Sequence, residues 1–82
     1  MERPQIEYPC EWGYKIIGAE DAALKAAAQE ILGEKDYEIS FSNISRNGNY
    51  IALEVTTRVI DEPERNRIYL SFHSHPAVLR VI

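Results

Sequence analysis

His73-Ser74-His75 is the most conspicuous chemical feature of the chain, because two imidazoles can form part of a metal site. On a helix the two rings point about 200° apart and cannot share one ion, whereas on an extended segment they lie on one side. A closed site also needs third and fourth ligands, and no CxxC or HExxH pattern accompanies them. The expectation is no metal and no cofactor. The pair reads instead as a solvated helix end, where a protonated imidazole complements the helix dipole. Neither a GxSxG motif nor a P-loop occurs, and the single cysteine, Cys10, has no neighbouring base or helix start to activate it. It reads as a buried, inert thiol. Asp61, Glu62 and Glu64 are acidic neighbours, but helix capping accounts for them without acid-base catalysis. No enzyme is expected.

Two groups of residues remain as binding candidates. Gly18, Ala19 and Glu20 lie between a strand pattern and a helix pattern, where a glycine serves a turn with positive φ or lets the backbone approach something closely. Exposed amides at the helix start are suited to a carboxylate or phosphate. Lys15, Glu54, Arg58 and Arg80 form the second group, a charged set for protein interaction on the outward side of a sheet.

These positions depend on a framework that is easily read. Ile51, Leu53, Val55, Thr57 and Val59 alternate with Ala52, Glu54, Thr56 and Arg58, the period of a strand with one face in a core and one near water. A first strand spans Trp12 to Ile17, with Trp12, Tyr14 and Ile16 on one side. From Ala19 to about Gly33, Leu24, Ala27, Ala28, Ile31 and Leu32 recur at three and four as the stripe of an amphipathic helix. Tyr37 to about Phe41 is a second strand, joined to the central one through Asn47-Gly48, a strong hairpin signal.

A two-residue loop with uninterrupted pairing would put Ile44 opposite Ile51 but Phe41 opposite Glu54 and Ile39 opposite Thr56. One face cannot suit both halves of that strand, so a bulge or widened loop is expected around Ser42 and Asn43, returning Ile39 and Phe41 to the core. Asp61-Glu62-Pro63-Glu64 starts a second helix, running to about His73. Its expected buried stripe is Ile68, Tyr69 and Phe72, with Glu64, Arg65, Asn66 and Arg67 facing water. Ala77 to Ile82 is a final strand.

The order β-α-β-β-α-β predicts an α+β, ferredoxin-like two-layer sandwich, in which two helices cover one face of a four-stranded antiparallel sheet. Right-handed crossovers place the first and third strands centrally and leave the second and fourth as edges. The expected organisation is one domain over residues 1–82, with 1–11 as an irregular lead-in containing Pro4 and Pro9. A net charge of −4 and the scarcity of basic runs argue against nucleic acid and anionic membranes as partners. The outward positions of the central strand lack the aromatics of RNA-binding sheets. Neither a spanning segment nor a leader pattern is evident, so a cytoplasmic protein is expected. Acylphosphatases share this fold, but Glu20 and Asp21 beside Gly18 would repel their phosphate substrate.

Residues Tyr8-Pro-Cys-Glu-Trp-Gly-Tyr-Lys-Ile-Ile-Gly18, Gly48-Asn49-Tyr50 entering a strand, and Ile68-Tyr69 through Val78-Leu-Arg-Val-Ile82 resemble the YbeD-like family of small bacterial proteins of unknown function. The resemblance covers nearly the whole chain and implies a fold similar to ACT regulatory domains, with no established activity. By fold analogy it adds Gly18 as an effector position. The resulting expectation is a noncatalytic regulatory or interaction module, a homodimer through a sheet edge or helix face, sensing a small metabolite near Gly18. The alternative is an adaptor that binds an unknown protein partner on the exposed sheet face and takes no small ligand.

Overall fold

In the computed structural model, which describes residues 7–45 and 47–82, the strand-forming alternation of Ile51–Val59 occupies the second position of a four-stranded antiparallel sheet. The elements in chain order are β1 (Cys10–Gly18), α1 (Asp21–Leu32), β2 (Tyr37–Ile44), β3 (Ile51–Val59), α2 (Glu62–Ser74) and β4 (Arg80–Val81). The sheet order is β2-β3-β1-β4, so the first and third strands are central as right-handed crossovers require. This is the ferredoxin-like arrangement expected from the element order.

Both helices lie on one face. α1 buries Leu24, Ala27, Ala28 and Leu32, and its small residues allow close approach to β1 and β3. Glu20 is its N-cap residue without a side-chain capping bond, and Gly33 terminates it with φ 58° and an amide donating to the Gln29 carbonyl at 2.8 Å. α2 starts as its sequence demands: the Asp61 carboxylate accepts from the Glu64 amide at 2.8 Å, and Glu64 Oε1 accepts from the Ile60 amide at 2.9 Å. Tyr14, Ile16, Leu53, Val55, Val59, Ile68 and Phe72 complete the core between the layers.

The parity conflict in β2 is resolved by a bulge. Phe41 pairs with Leu53 and Asn43 with Ala52, leaving Ser42 as the extra residue, so Ile39 faces Val55 and Ile44 faces Ile51. The hairpin loop is wider than a two-residue turn: the Ser45 amide donates to the Tyr50 carbonyl at 2.8 Å, and Gly48 has φ 76°. Asn47 does not take positive φ; its carboxamide oxygen instead accepts from Ser45 Oγ and the Asn49 amide.

Several expectations are corrected. Phe41 lies on the core side of β2 but is 62% exposed, because it sits at an outer strand beyond the cover of the helices. Tyr69 is exposed rather than part of the buried α2 stripe, whereas Glu64 and Arg65 are largely covered. Glu64 meets Lys35 at 3.4 Å, and the Arg65 guanidinium lies 4.5 Å from the Trp12 ring centroid, so both serve the packing of α2. The final strand is shorter than 77–82. Pro76 and Ala77 form a turn, although Leu79 and Ile82 still bond the β1 backbone. Conversely β1 begins at Cys10, inside the stretch expected to be irregular; the lead-in residues 1–6 and Arg46 of the expected turn lie outside the described residues.

Candidate functional site

No described element covers the second face of the sheet, and the strand register arranges it in rows. One row is Ser40, Glu54 and Lys15; another is Glu38, Thr56 and Gly13; Arg58 stands opposite Glu11. Residues of opposite charge therefore occupy facing register positions across β1 and β3 at Lys15 and Glu54 and again at Arg58 and Glu11, which leaves this part of the face polar and of mixed charge. Glu54 also lies over the bare backbone of Gly13, since a Cβ there would stand 2.6 Å from Glu54 Oε1.

The row nearest the hairpin is different. Asn43, Ala52, Ile17 and Arg80 succeed one another across all four strands. Ala52 is short, so this row dips between longer neighbours, and Tyr50 and Leu79 flank a basin of about 460 Å³. Arg80 lies in register with Ile17, not with an acid. The four expected interaction residues, Lys15, Glu54, Arg58 and Arg80, thus share one face but occupy different rows. Sequence reasoning missed Glu11, assigned to the lead-in, and the apolar group Ile17, Tyr50, Ala52 and Leu79. The alternation of β1 placed Ile17 on the outward side and was the available signal for it.

Gly18 is buried and does not have positive φ. A Cβ on it would meet the Ala77 carbonyl oxygen at 2.5 Å and Leu24 Cδ2 at 2.8 Å. The close backbone approach that glycine permits here is therefore made by the chain's own α2–β4 connection. Ala19 and Glu20 beside it are exposed, and the Glu20 carbonyl accepts the Leu24 amide as the first bond of α1.

The two histidines do not form a solvated pair. His73 stacks on Tyr69, with ring centroids 6.1 Å apart and planes within 7°. His75 is half-buried at the C-cap of α2 and accepts the Ala77 amide at Nδ1, 3.1 Å away. That backbone donor places the imidazole proton on Nε2, which donates to Glu30 Oε2 at 2.8 Å. His75 thereby ties the α2–β4 turn to α1. Among the described residues, no group of three or more His, Cys, Asp or Glu side chains could hold a metal. Cys10 is free and half-buried against the core.

Tyr14 is a phenol buried between the sheet and α2. Its hydroxyl donates to the Arg65 carbonyl at 2.8 Å, and burial raises its pKa from 10.0 to about 12, opposed by the nearby Arg65 charge. A phenol held neutral and donating to a backbone carbonyl is a packing element, not an acid or base for chemistry.

A small ferredoxin-like domain with an uncovered, row-patterned sheet face defines the class. The sequence matches the family model "Protein of unknown function (DUF493)" over residues 3–82, and the chain belongs to that family. It is 31% identical over 85 residues to a UPF0250 protein of Hahella chejuensis, covering 99% of this chain and 93% of the relative. It is also 32% identical over 68 residues to the uncharacterized protein Cj0253 of Campylobacter jejuni, covering 83% and 78%. The solution structure of HP0495 from H. pylori superposes with a TM-score of 0.83 at 26% identity, covering 99% of this chain and 89% of that one. The YbeD-like resemblance agrees with these matches, since YbeD is a UPF0250 protein. Among the described residues no helix is long and apolar enough to cross a membrane.

Proposed function

We propose that this protein is a noncatalytic interaction module whose recognition surface is the uncovered sheet face, bearing Lys15, Glu54, Arg58 and Arg80, and whose partner is another protein. The observation that carries this reading is the strand register, which puts these four side chains, together with Glu11, on one side of a rigid sheet away from both helices. Rigid presentation of mixed charge favours specificity and steering of a partner. The metabolite-sensing alternative at Gly18 has less support, because Leu24 and Ala77 already fill the space around that glycine.

The test is capture of a partner from a lysate by immobilised protein, comparing wild type with Arg58→Glu on the sheet face and Arg67→Glu on exposed α2. The expected result is a discrete partner retained by wild type and Arg67→Glu but lost with Arg58→Glu. Retention by all three, or by none, refutes the assignment of this face.

A further inference from the structure

We infer that the basin at the hairpin end of the sheet is a binding site for a small carboxylate with an apolar body. The inference shares Arg80 with the protein-binding reading but does not depend on it, since that reading is tested at Arg58, three rows away across β3 and β1. Its basis is the contrast between rows. Lys15 has Glu54 opposite it and Arg58 has Glu11, whereas Arg80 has Ile17. The row of Asn43, Ala52, Ile17 and Arg80 is consequently apolar at its centre, with an amide at one end and, at the other, a guanidinium whose register partner is apolar.

Shape agrees with charge. Ala52 is only 4% exposed although it lies on the uncovered face, so it forms a floor sunk between its neighbours. Tyr50 and Leu79, both exposed large apolar side chains, rise beside it. The volume of about 460 Å³ lies within the range of small-molecule sites. A guanidinium takes a carboxylate through two parallel N–H bonds, and such a fork is far less suited to a cation or a neutral amide. Hydrocarbon of a few carbons would cover Ile17, Tyr50 and Leu79, removing apolar surface from water. The Ser45 hydroxyl is already engaged, accepting the Tyr50 amide and donating to Asn47, so it holds the hairpin wall. The Asn43 carboxamide, on the bulged edge strand, is the polar group at the far end.

The experiment is a two-dimensional amide NMR titration of the full chain with hexanoate, hexanamide and hexylamine. Hexanoate is expected to give saturable shifts at Ile17, Ala52 and Arg80, while the amide and the amine bind at least about tenfold more weakly, the loss of one charge-assisted bond pair. Arg80→Gln should weaken hexanoate by a similar factor, and Ala52→Leu, which fills the floor, should abolish the shifts. Spectral dispersion verifies that each variant is folded, and Arg80→Gln, at an exposed position, decides the matter if Ala52→Leu is not. The proposal is overturned if hexanoate gives no saturable shift at these amides. It is equally overturned if hexanamide or hexylamine binds as tightly, or if Arg80→Gln leaves the affinity unchanged.

Discussion

Replacing Gly18 by alanine adds one methyl group at a place where the structure has no room for it. The new carbon would stand 2.5 Å from the Ala77 carbonyl oxygen and 2.8 Å from Leu24 Cδ2, both well inside ordinary contact. The first obstacle is backbone, anchored by Val78 bonding to His75 and Leu79 bonding to Ile17, so relief requires the α2–β4 connection to move. Overpacking of this kind costs about 1–3 kcal/mol. Gly13→Ala is the internal control. Its Cβ meets the end of the flexible Glu54 side chain on an open face, and a glycine in a strand is itself unfavourable, so this variant should be neutral or stabilised by up to about 1 kcal/mol. Urea unfolding followed by circular dichroism reads both, as shifts in midpoint at constant slope. In a domain of this size about 2 kcal/mol corresponds to roughly 8–16 °C in Tm. Equal stability of Gly18→Ala and wild type, or an equal loss in Gly13→Ala, would refute the packing argument and return Gly18 to consideration as a ligand position.

Asp61→Ala removes the side-chain acceptor for the Glu64 amide and should cost about 1 kcal/mol in urea unfolding, with Asp61→Asn recovering most of it. Phe72 is fully buried against Tyr14, with ring centroids 5.7 Å apart; Phe72→Ala should lose about 3–5 kcal/mol, enough to collapse the dispersion of the amide NMR spectrum in a marginally stable domain. Tyr14, with its pKa pushed up by burial from 10.0 to about 12, should give an ultraviolet pH titration a phenol ionisation near pH 12 that Tyr14→Phe removes. Because the folded state holds that proton more tightly, Tyr14 contributes stability that is complete below pH 10 and lost as pH rises towards 12, and Tyr14→Phe should flatten that part of the stability profile.

Much of the architecture is legible from the chain alone, because the relevant interactions are local or periodic. The alternation of Ile51 to Val59, the Leu24, Ala27, Ala28 and Leu32 stripe and the Asp61 cap each carry their own signal. Even the bulge at Ser42 follows from parity, since a strand with a period of two cannot hold Ile39, Phe41 and Ile44 on one face without an extra residue. What the sequence cannot encode locally is coverage. Phe41 and Tyr69 have the spacing of core residues but stand where no second layer reaches them, and Arg65 is largely covered because it packs on Trp12.

The candidate site was legible only in part, for the same reason. Outward positions of single strands can be named from alternation, which is how Lys15, Glu54, Arg58 and Arg80 come to share a face. Which of them stand opposite a counter-charge depends on register between segments as far apart as Ile17 and Arg80. Likewise Gly18 announces a close approach, but only the folded chain shows that Ala77 makes it, and the partner of His75 is Glu30, 45 residues away. The sequence by itself determined the elements, their order and the inward and outward faces of the central strands and of α1. The tertiary structure decided neighbours across strands and between layers, because those distances are set by where the sheet and helices meet and not by any period along the chain.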